Sequence, residues 1–197
     1  KIFFFYSVFS GISFGFIINY FTAAPFIIQN TYHIKPLHTG LYLLFMPVSL
    51  IVGAFVAKYL AQCKMKAANL VTIYAISFLV VSLVSLILSY FIQSIALLVI
   101  MIVIIGFLCG LIMPVLTGES VSTIDASIGT AMASSIQVMI KMLMTAACMM
   151  IGLTIHVKTT TDLLLIFIIL SVMLNTLLLF MSLMKKVDKE NITVTLK

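Results

Sequence analysis

The chain has 197 residues, of which 63% are hydrophobic and only 8% are charged, and its mean hydropathy is +1.32. A soluble domain carries about a quarter charged residues, so this composition excludes a soluble globular domain and a disordered chain. The net charge of +6 does not indicate a nucleic-acid partner, because the lysines lie between apolar runs rather than on one face. The composition predicts a polytopic membrane protein.

Six apolar segments each reach the length of about 20 residues that a helix needs to cross a bilayer. In chain order, segment A covers about 3–29, B 39–60, C 69–91, D 95–117, E 127–153 and F 162–184. Their long, continuous apolar runs exclude a transmembrane barrel, whose strands alternate over about ten residues. We therefore expect an all-α bundle of six transmembrane helices over 1–184, followed by a polar cytoplasmic tail over 185–197. The chain begins with Lys1 rather than Met, which suggests a fragment.

The lysines predict the orientation through the positive-inside rule. If the N-terminus is cytoplasmic, eight lysines lie on the inner side, Lys35 and Lys158 lie on the outer side, and Lys141 lies inside segment E. We therefore expect both termini in the cytoplasm. The three cysteines have no metal-site spacing and are expected to act as small apolar packing residues.

Segments A and D share two glycines four residues apart, followed by a proline: Gly11, Gly15 and Pro25 in A, and Gly106, Gly110 and Pro114 in D. The two motifs are 95 residues apart, close to half the chain. Three helices precede segment D, so the second triplet would run in the opposite direction, as in an inverted three-helix repeat. The alternative is a close-packing device that is common in membrane helices of any function.

Polar residues recur at helical spacing in two segments. They are Ser7, Gly11, Gly15, Asn19, Thr22 and Gln29, with Phe26, in segment A, and Thr130, Ser134, Gln137, Lys141, Thr145, Cys148 and Gly152 in segment E. Such a stripe is costly against lipid, so we expect A and E to face a cavity or a partner bundle. Segments C and F have no long polar stripe and are expected to be peripheral.

Lys141 is the most informative single residue, because a lysine near the bilayer midplane costs about 2.5–3.5 kcal/mol. No acidic residue of the chain is expected at the same depth. A ligand-related or coupling-related charge in a central cavity is one interpretation. The alternative is a structural lysine that is hydrogen-bonded to Gln137 and backbone carbonyls, or that reaches toward the membrane surface.

The candidate substrate site combines polar groups with the helix break at a proline, and adaptable aromatic and methionine side chains. Its members are Asn19, Tyr20, Thr22, Pro25, Tyr42, Met46, Met113, Ser134, Gln137 and Lys141. Each of them also has an ordinary interpretation as packing or as hydrogen bonding between helices. The sequence has no His-Glu-x-x-His motif, paired intramembrane aspartates or phosphate loop, so we expect neither an enzyme nor a metal or organic cofactor.

Two stretches resemble a known family. Tyr20-Phe-Thr-Ala-Ala-Pro25-Phe-Ile-Ile-Gln29, with the loop that ends at Phe45, resembles the seventh span and following loop of the Bcr/CflA-type drug:proton antiporters of the major facilitator superfamily. Gly129-Thr-Ala-Met-Ala-Ser-Ser135 is similar to the opening of their eleventh span. Ala57 and Lys58 depart from the superfamily loop motif, where an acid and an arginine are usual.

The resemblance implies that the chain forms spans seven to twelve, the C-terminal half of a transporter in a bacterial inner (plasma) membrane. The expected function is multidrug efflux: export of drugs or other small amphipathic compounds by alternating access, driven by the proton gradient. The expected partners are the small-molecule substrate, protons, the lipid bilayer and an N-terminal six-helix half that carries the coupling acid. The alternatives are an importer of a nutrient or anionic metabolite, with Lys141 as counter-ion, and a six-helix scaffold or remnant that transports nothing.

Overall fold

The computed structural model describes residues 2–62, 67–92, 94–123, 130–155, 157 and 159–195, with side chains up to residues 60 and 184 in the first and last ranges. These residues form helices, and no strand lies among them. The helices are α1 (Ile2–Asn30), α2 (Pro36–Leu43), α3 (Phe45–Gln62), α4 (Ala67–Phe91), α5 (Ile95–Ser122), α6 (Thr130–Ile155) and α7 (Thr160–Thr195).

Six membrane spans are expected from sequence, and the described residues contain six helical stretches that are long and apolar enough to cross a membrane. This is the architecture of a multi-pass membrane protein. The second span runs over Pro36–Leu60 and is divided at Leu44 into α2 and α3. The last span ends at Met184, but the backbone of α7 stays helical to Thr195, through most of the predicted tail.

The core is built around α1, whose span is 72% buried. Phe16 of α1 lies against Phe78 of α4, with ring centroids 4.0 Å apart, and against Phe167 of α7 at 5.5 Å. Each of these rings is removed from solvent and lipid, and an aromatic pair contributes about 0.5–1.5 kcal/mol beyond its buried area. The aromatic cluster therefore joins α1, α4 and α7.

The helices with the least buried surface are α6, at 17%, and the second span, at 22%, whereas the spans of α4 and α7 are both 39% buried. Within this chain alone, segments C and F are therefore more buried than B and E, and their peripheral position in the whole protein stays a prediction. An apolar segment without a polar stripe packs equally well against lipid and against an apolar core, so the absence of polar residues does not distinguish the two. Tyr74 and Phe78 of α4 lie in that core.

Two helix pairs pack very closely, α1 on α6 and α5 on α3. Gly106 and Gly110 of α5 lie directly on α3, where a Cβ on Gly106 would collide with the Ser49 hydroxyl and one on Gly110 with the Leu50 carbonyl. Gly53 of α3 approaches the backbone of α5 in return. Small residues at such positions let two helix backbones approach each other, which is a main source of attraction between membrane helices.

Candidate functional site

The α1/α6 seam is the line of contact between two helices that run in the same direction. An ideal Cβ on Gly11 would lie 2.5 Å from Met144 Cβ and 2.8 Å from the Lys141 carbonyl oxygen, and one on Gly15 would lie 2.7 Å from Cys148 Cβ. Contacts that advance together along both chains indicate parallel helices. We call the end of the bundle where α1 begins the amino end, and the end where α1 finishes the carboxyl end.

Polar groups of both helices bond across this seam. Asn19 Nδ2 donates to the carbonyl oxygens of Gly15 at 2.9 Å and Cys148 at 3.3 Å. Thr145 Oγ1 lies 3.0 Å from the Gly11 carbonyl oxygen and 2.8 Å from that of Lys141. The polar stripes of segments A and E therefore face each other from Gly11 to Asn19 on α1 and from Lys141 to Gly152 on α6, and the amide of Asn19 and the hydroxyl of Thr145 bond across this stretch.

Toward the carboxyl end, residues of both helices line a seam groove of about 440 Å³. Its lining is mostly apolar and consists of Asn19, Thr22, Ala23, Phe26, Met149, Gly152, Leu153 and Val157. A Cβ on Gly152 would collide with Asn19 Oδ1, so the absence of a side chain at Gly152 leaves room for that oxygen. A concave, mainly apolar surface with a few placed polar groups is the usual form of a small-molecule site.

Thr22 and Pro25 shape α1 beside this groove. The exposed hydroxyl of Thr22 lies 3.1 Å from the Ile18 carbonyl oxygen and 3.0 Å from that of Asn19, and it donates its single hydrogen to them. Pro25 lies within the helix and has no N–H to give to the carbonyl of Phe21. This end of α1 therefore carries hydrogen-bond acceptors in excess of donors.

Lys141 lies on the amino side of the groove, eleven residues into α6, or about 16 Å from the first residue of that helix. Its ammonium group is 4.4 Å from the ring centroid of Phe14, and the side chain is partly buried. A cation over an aromatic face gains about 0.5–2 kcal/mol. Of the acids whose side chains are described, Glu119 lies in the last turn of α5 and Asp162 in the first turn of α7, so neither shares the depth of Lys141.

The other predicted site residues lie in the core or elsewhere on the helices, away from the seam groove. Tyr20 and Met46 are fully buried in the core, Gln137 is buried on α6, and Met113 accepts a long contact from the Ser10 hydroxyl at 3.9 Å. Ser134 is partly buried and bonds to the carbonyl of its own helix at Ala131. None of these residues lines the seam groove, which takes only Asn19 and Thr22 from the predicted set.

Tyr42 lies in a separate cavity of about 430 Å³ beside α2, with Lys35, His38 and Phe45 in its lining. The sequence analysis began segment B at residue 39 and gave Lys35 and His38 no site role. The steps of three and four residues from Lys35 to His38 and from His38 to Tyr42 were the available signal, but the start of a helix at Pro36 was missed. The cavity is open and lies near the carboxyl end.

A buried polar cluster in the core was also missed by sequence analysis. Tyr74 Oη lies 3.6 Å from Cys109 Sγ, and this sulfur lies 3.8 Å from the carbonyl of Ser13. The Ser13 hydroxyl is enclosed, without a hydrogen-bond partner in the structure. Within the described residues, no group of three His, Cys, Asp or Glu side chains is placed to hold a metal ion. Cys63, Lys64, Lys66, His156 and Lys158 lie outside these residues.

The comparisons with known proteins give no assignment. No protein-family model matches the chain, and a search of curated proteins finds no similar sequence. The function is therefore argued from the composition, the packing and the seam.

Proposed function

We propose that the chain is the six-helix C-terminal half of a major facilitator transporter that exports small amphipathic compounds in exchange for protons. The observation that carries this proposal is the correspondence between the two glycine seams. Gly11 contacts Met144, and Gly106 contacts Ser49. Gly106 follows Gly11 by 95 residues, and Met144 follows Ser49 by the same number.

The same relation extends one turn further along both seams. Gly15 meets Cys148 on α6, and Gly110 meets the backbone of α3 beside Gly53. Cys148 again follows Gly53 by 95 residues. A constant offset in both members of each contact is what two related helix triplets produce, and it supports the proposed 3+3 inverted repeat.

Exposure supports a missing second bundle. Both α6 and the second span leave most of their surface uncovered within this chain, although α6 carries Lys141 and several hydroxyl groups. In a transporter that alternates between two open states, one bundle rocks against the other around a site near the midplane. The N-terminal half would lie against these two spans, with the polar residues of α6 near the boundary.

Lys141 is the proposed functional charge. Its described neighbour is an aromatic ring rather than a carboxylate, so a substrate or an acid of the N-terminal half would supply the counter-charge. Intramembrane charges that are retained at a cost of several kcal/mol commonly lie on substrate or proton pathways. The orientation with both termini in the cytoplasm of a bacterial inner membrane belongs to the same proposal.

The test begins with the coding sequence that precedes Lys1, which we expect to continue into six further spans with an acid in the first. The full coding region is then expressed, and inverted membrane vesicles are loaded with a pH-sensitive dye. Addition of an amphipathic substrate is expected to release protons from energised vesicles. Lys141→Met is expected to abolish this signal, whereas Lys58→Met, which removes an exposed lysine near the end of α3, should retain it.

A second candidate is an importer of an anionic metabolite, favoured by the ammonium group of Lys141, whose neighbour among the described side chains is the ring of Phe14. If the protein is such an importer, Lys141→Met would abolish uptake of the anion. Export of a cationic dye by the variant would equal that of control membranes without the protein. A six-helix scaffold would give no substrate-dependent proton flux in any variant. That outcome, with the full coding region well expressed and folded, would refute both transport proposals.

A further inference from the structure

The seam groove has an unusual hydrogen-bonding character that follows from counting donors and acceptors. An asparagine side chain has two N–H donors on nitrogen and one acceptor oxygen. Both donors of Asn19 are used, one on the carbonyl of Gly15 and one on the carbonyl of Cys148. Because both partners are carbonyl oxygens, the nitrogen must face them, and Oδ1 must face Gly152 and the groove.

Thr22 adds a second acceptor one turn along the same helix. Its hydroxyl hydrogen is directed to backbone carbonyls of α1, so only the lone pairs of Oγ1 remain for a ligand. The other described lining residues contribute no donor side chain and no charge. They provide instead the ring of Phe26, which is 66% exposed, and the flexible side chain of Met149.

We propose that the seam groove is a binding site for amphiphiles whose polar group is an N–H donor, above all a primary amine. Two acceptor oxygens on successive turns would receive two of its hydrogens. The ring of Phe26 would face the charge, and Met149, Leu153 and Val157 would cover the apolar body. An anion or an ester, which offers only acceptors, would place lone pairs against lone pairs and leave the site's oxygens unpaired.

Amphiphilic amines would be the class of compound that the proposed transporter binds in this groove. The proposal rests on the proposed function only for its relevance to transport. Two sources could supply the same chemistry: a free amphiphilic amine and the headgroup of an aminophospholipid. Binding is therefore measured without transport, so that a failure of export and a failure of donor recognition give different results.

The 197 residues contain no Trp, so Leu153→Trp places a single one in this chain, beside the groove. The protein is reconstituted in phosphatidylcholine nanodiscs, whose headgroup has no N–H. Three brominated quenchers of equal chain length are titrated: 11-bromoundecylammonium, 11-bromoundecyltrimethylammonium and 11-bromoundecanoate. The two cations carry the same charge, so repulsion from Lys141 is equal for both; they differ in their N–H donors and in headgroup size, and Thr22→Val below isolates the part that depends on an acceptor.

We expect the primary ammonium to bind at least about tenfold more tightly than the trimethyl compound, because bonds to a charged donor are among the stronger ones. The carboxylate should not quench at comparable concentrations. Thr22→Val, which keeps the side-chain shape, should reduce the preference about three- to tenfold. The control Thr176→Val removes a hydroxyl that bonds only to the Met173 carbonyl of α7, and it should leave the preference intact.

Equal binding of the two cations would overturn the proposal. So would an unchanged preference in Thr22→Val, which loses no bond between helices and is expected to fold. Repeating the titration in nanodiscs with phosphatidylethanolamine distinguishes the two sources. Loss of quenching there identifies the aminophospholipid as the occupant, and retained quenching identifies a free amine.

Discussion

The α1/α6 seam and the α5/α3 seam are built on the same motif, two glycines four residues apart. They differ in the atoms that surround those glycines. At the α5/α3 seam the closest neighbours of Gly110 belong to the backbone of Leu50. At the α1/α6 seam the neighbours of Gly15 are atoms of the Cys148 side chain, and Asn19 and Thr145 bond from one helix to the other. One seam is closed by packing, and the other combines packing with polar bonds and opens into a groove.

The difference shows how one motif serves two purposes. Backbone-to-backbone contact fixes the separation of α3 and α5, because no side chain can rotate to relieve it. At the α1/α6 seam the contacts of Gly11 and Gly15 with Met144 and Cys148 are less close, and the seam borders the groove beside Gly152. A site that must bind and release a ligand is expected at the seam with the less close contacts.

The largest expected effect is on Gly110. Gly110→Ala would drive a methyl group into the Leu50 backbone, so it should lower the free energy of unfolding by about 2–3 kcal/mol, in the range of overpacked cores. Gly15→Ala should cost less, about 1–2 kcal/mol, because its Cβ would approach Cys148 Cβ less closely than a Cβ on Gly110 approaches the Leu50 carbonyl oxygen. Reversible unfolding by SDS in mixed micelles, followed by circular dichroism, measures both.

The control for these two variants is Gly118→Ala, since a Cβ there meets no atom within 4 Å. Alanine is the better helix former by about 0.8–1 kcal/mol, so this variant should be unchanged or slightly more stable. A loss in Gly118→Ala as large as that in Gly110→Ala would mean that contact with the Leu50 backbone is not what destabilises Gly110→Ala. The distinction between the seams would then have no basis.

The next effect concerns two asparagines with the same bonding pattern. Asn19 joins α1 to α6, and Asn175 joins α7 to α4 by donating to the Ala75 carbonyl at 3.0 Å and to its own helix at Ser171. Asn19→Leu and Asn175→Leu should each cost about 1–2 kcal/mol, since membrane hydrogen bonds average about 0.6 kcal/mol. The unfolding assay compares them directly.

Ligand binding then separates these two asparagines. Only Asn19 lines the groove, so Asn19→Leu should lose the preference for the primary ammonium while Asn175→Leu retains it. If Asn175→Leu also loses it, the effect comes from general loosening of the bundle, and Asn19 has no special role in recognition.

Replacing Lys141 should make the isolated bundle more stable. The partly buried charge costs up to about 2.5–3.5 kcal/mol, and the contact with Phe14 returns about 0.5–2 kcal/mol, so Lys141→Met should raise the free energy of unfolding by about 0.5–3 kcal/mol. A decrease would indicate a structural lysine, as in the alternative stated from sequence. Lys58→Met should leave stability near that of the unmodified chain.

The smallest effect is expected for Thr145→Val, which removes the bond to the Gly11 carbonyl but keeps the shape. A loss of about 0.5–1 kcal/mol follows from the average for such bonds. Thr117→Val is the matched control, because its hydroxyl bonds only to the Met113 carbonyl of α5. Equal losses in both would show that the bond across the α1/α6 seam adds nothing beyond local helix stability.

Much of the fold follows from local sequence. Hydropathy places six spans with ends within a few residues of the observed ones, as for segment A at 3–29 against Ile2–Asn30. The break at Leu44 was not predicted, because it interrupts an apolar run without a glycine or proline at the break itself. The continuation of α7 to Thr195 was missed because a polar composition ends a span and does not end a helix.

The site was less accessible from sequence than the spans. The spacing of Asn19, Thr145 and Gly152 correctly places each on a face that avoids lipid, but it does not state which surface that face meets. The stripes proved to meet each other, through residues separated by more than 120 positions. Such pairings depend on where the four intervening helices place α6. Local periodicity does not predict that position.

The parallel seam also has a consequence for the order of events during synthesis. The bond from Asn19 to Cys148 joins residues separated by 129 positions, so at about 5–20 residues per second α1 waits roughly 6–26 s for its partner. Over that interval its glycines and its amide lack their final neighbour. The nascent chain therefore needs an insertion partner that shelters α1 until α6 arrives, and α1 is completed only after the four helices that follow it have been made.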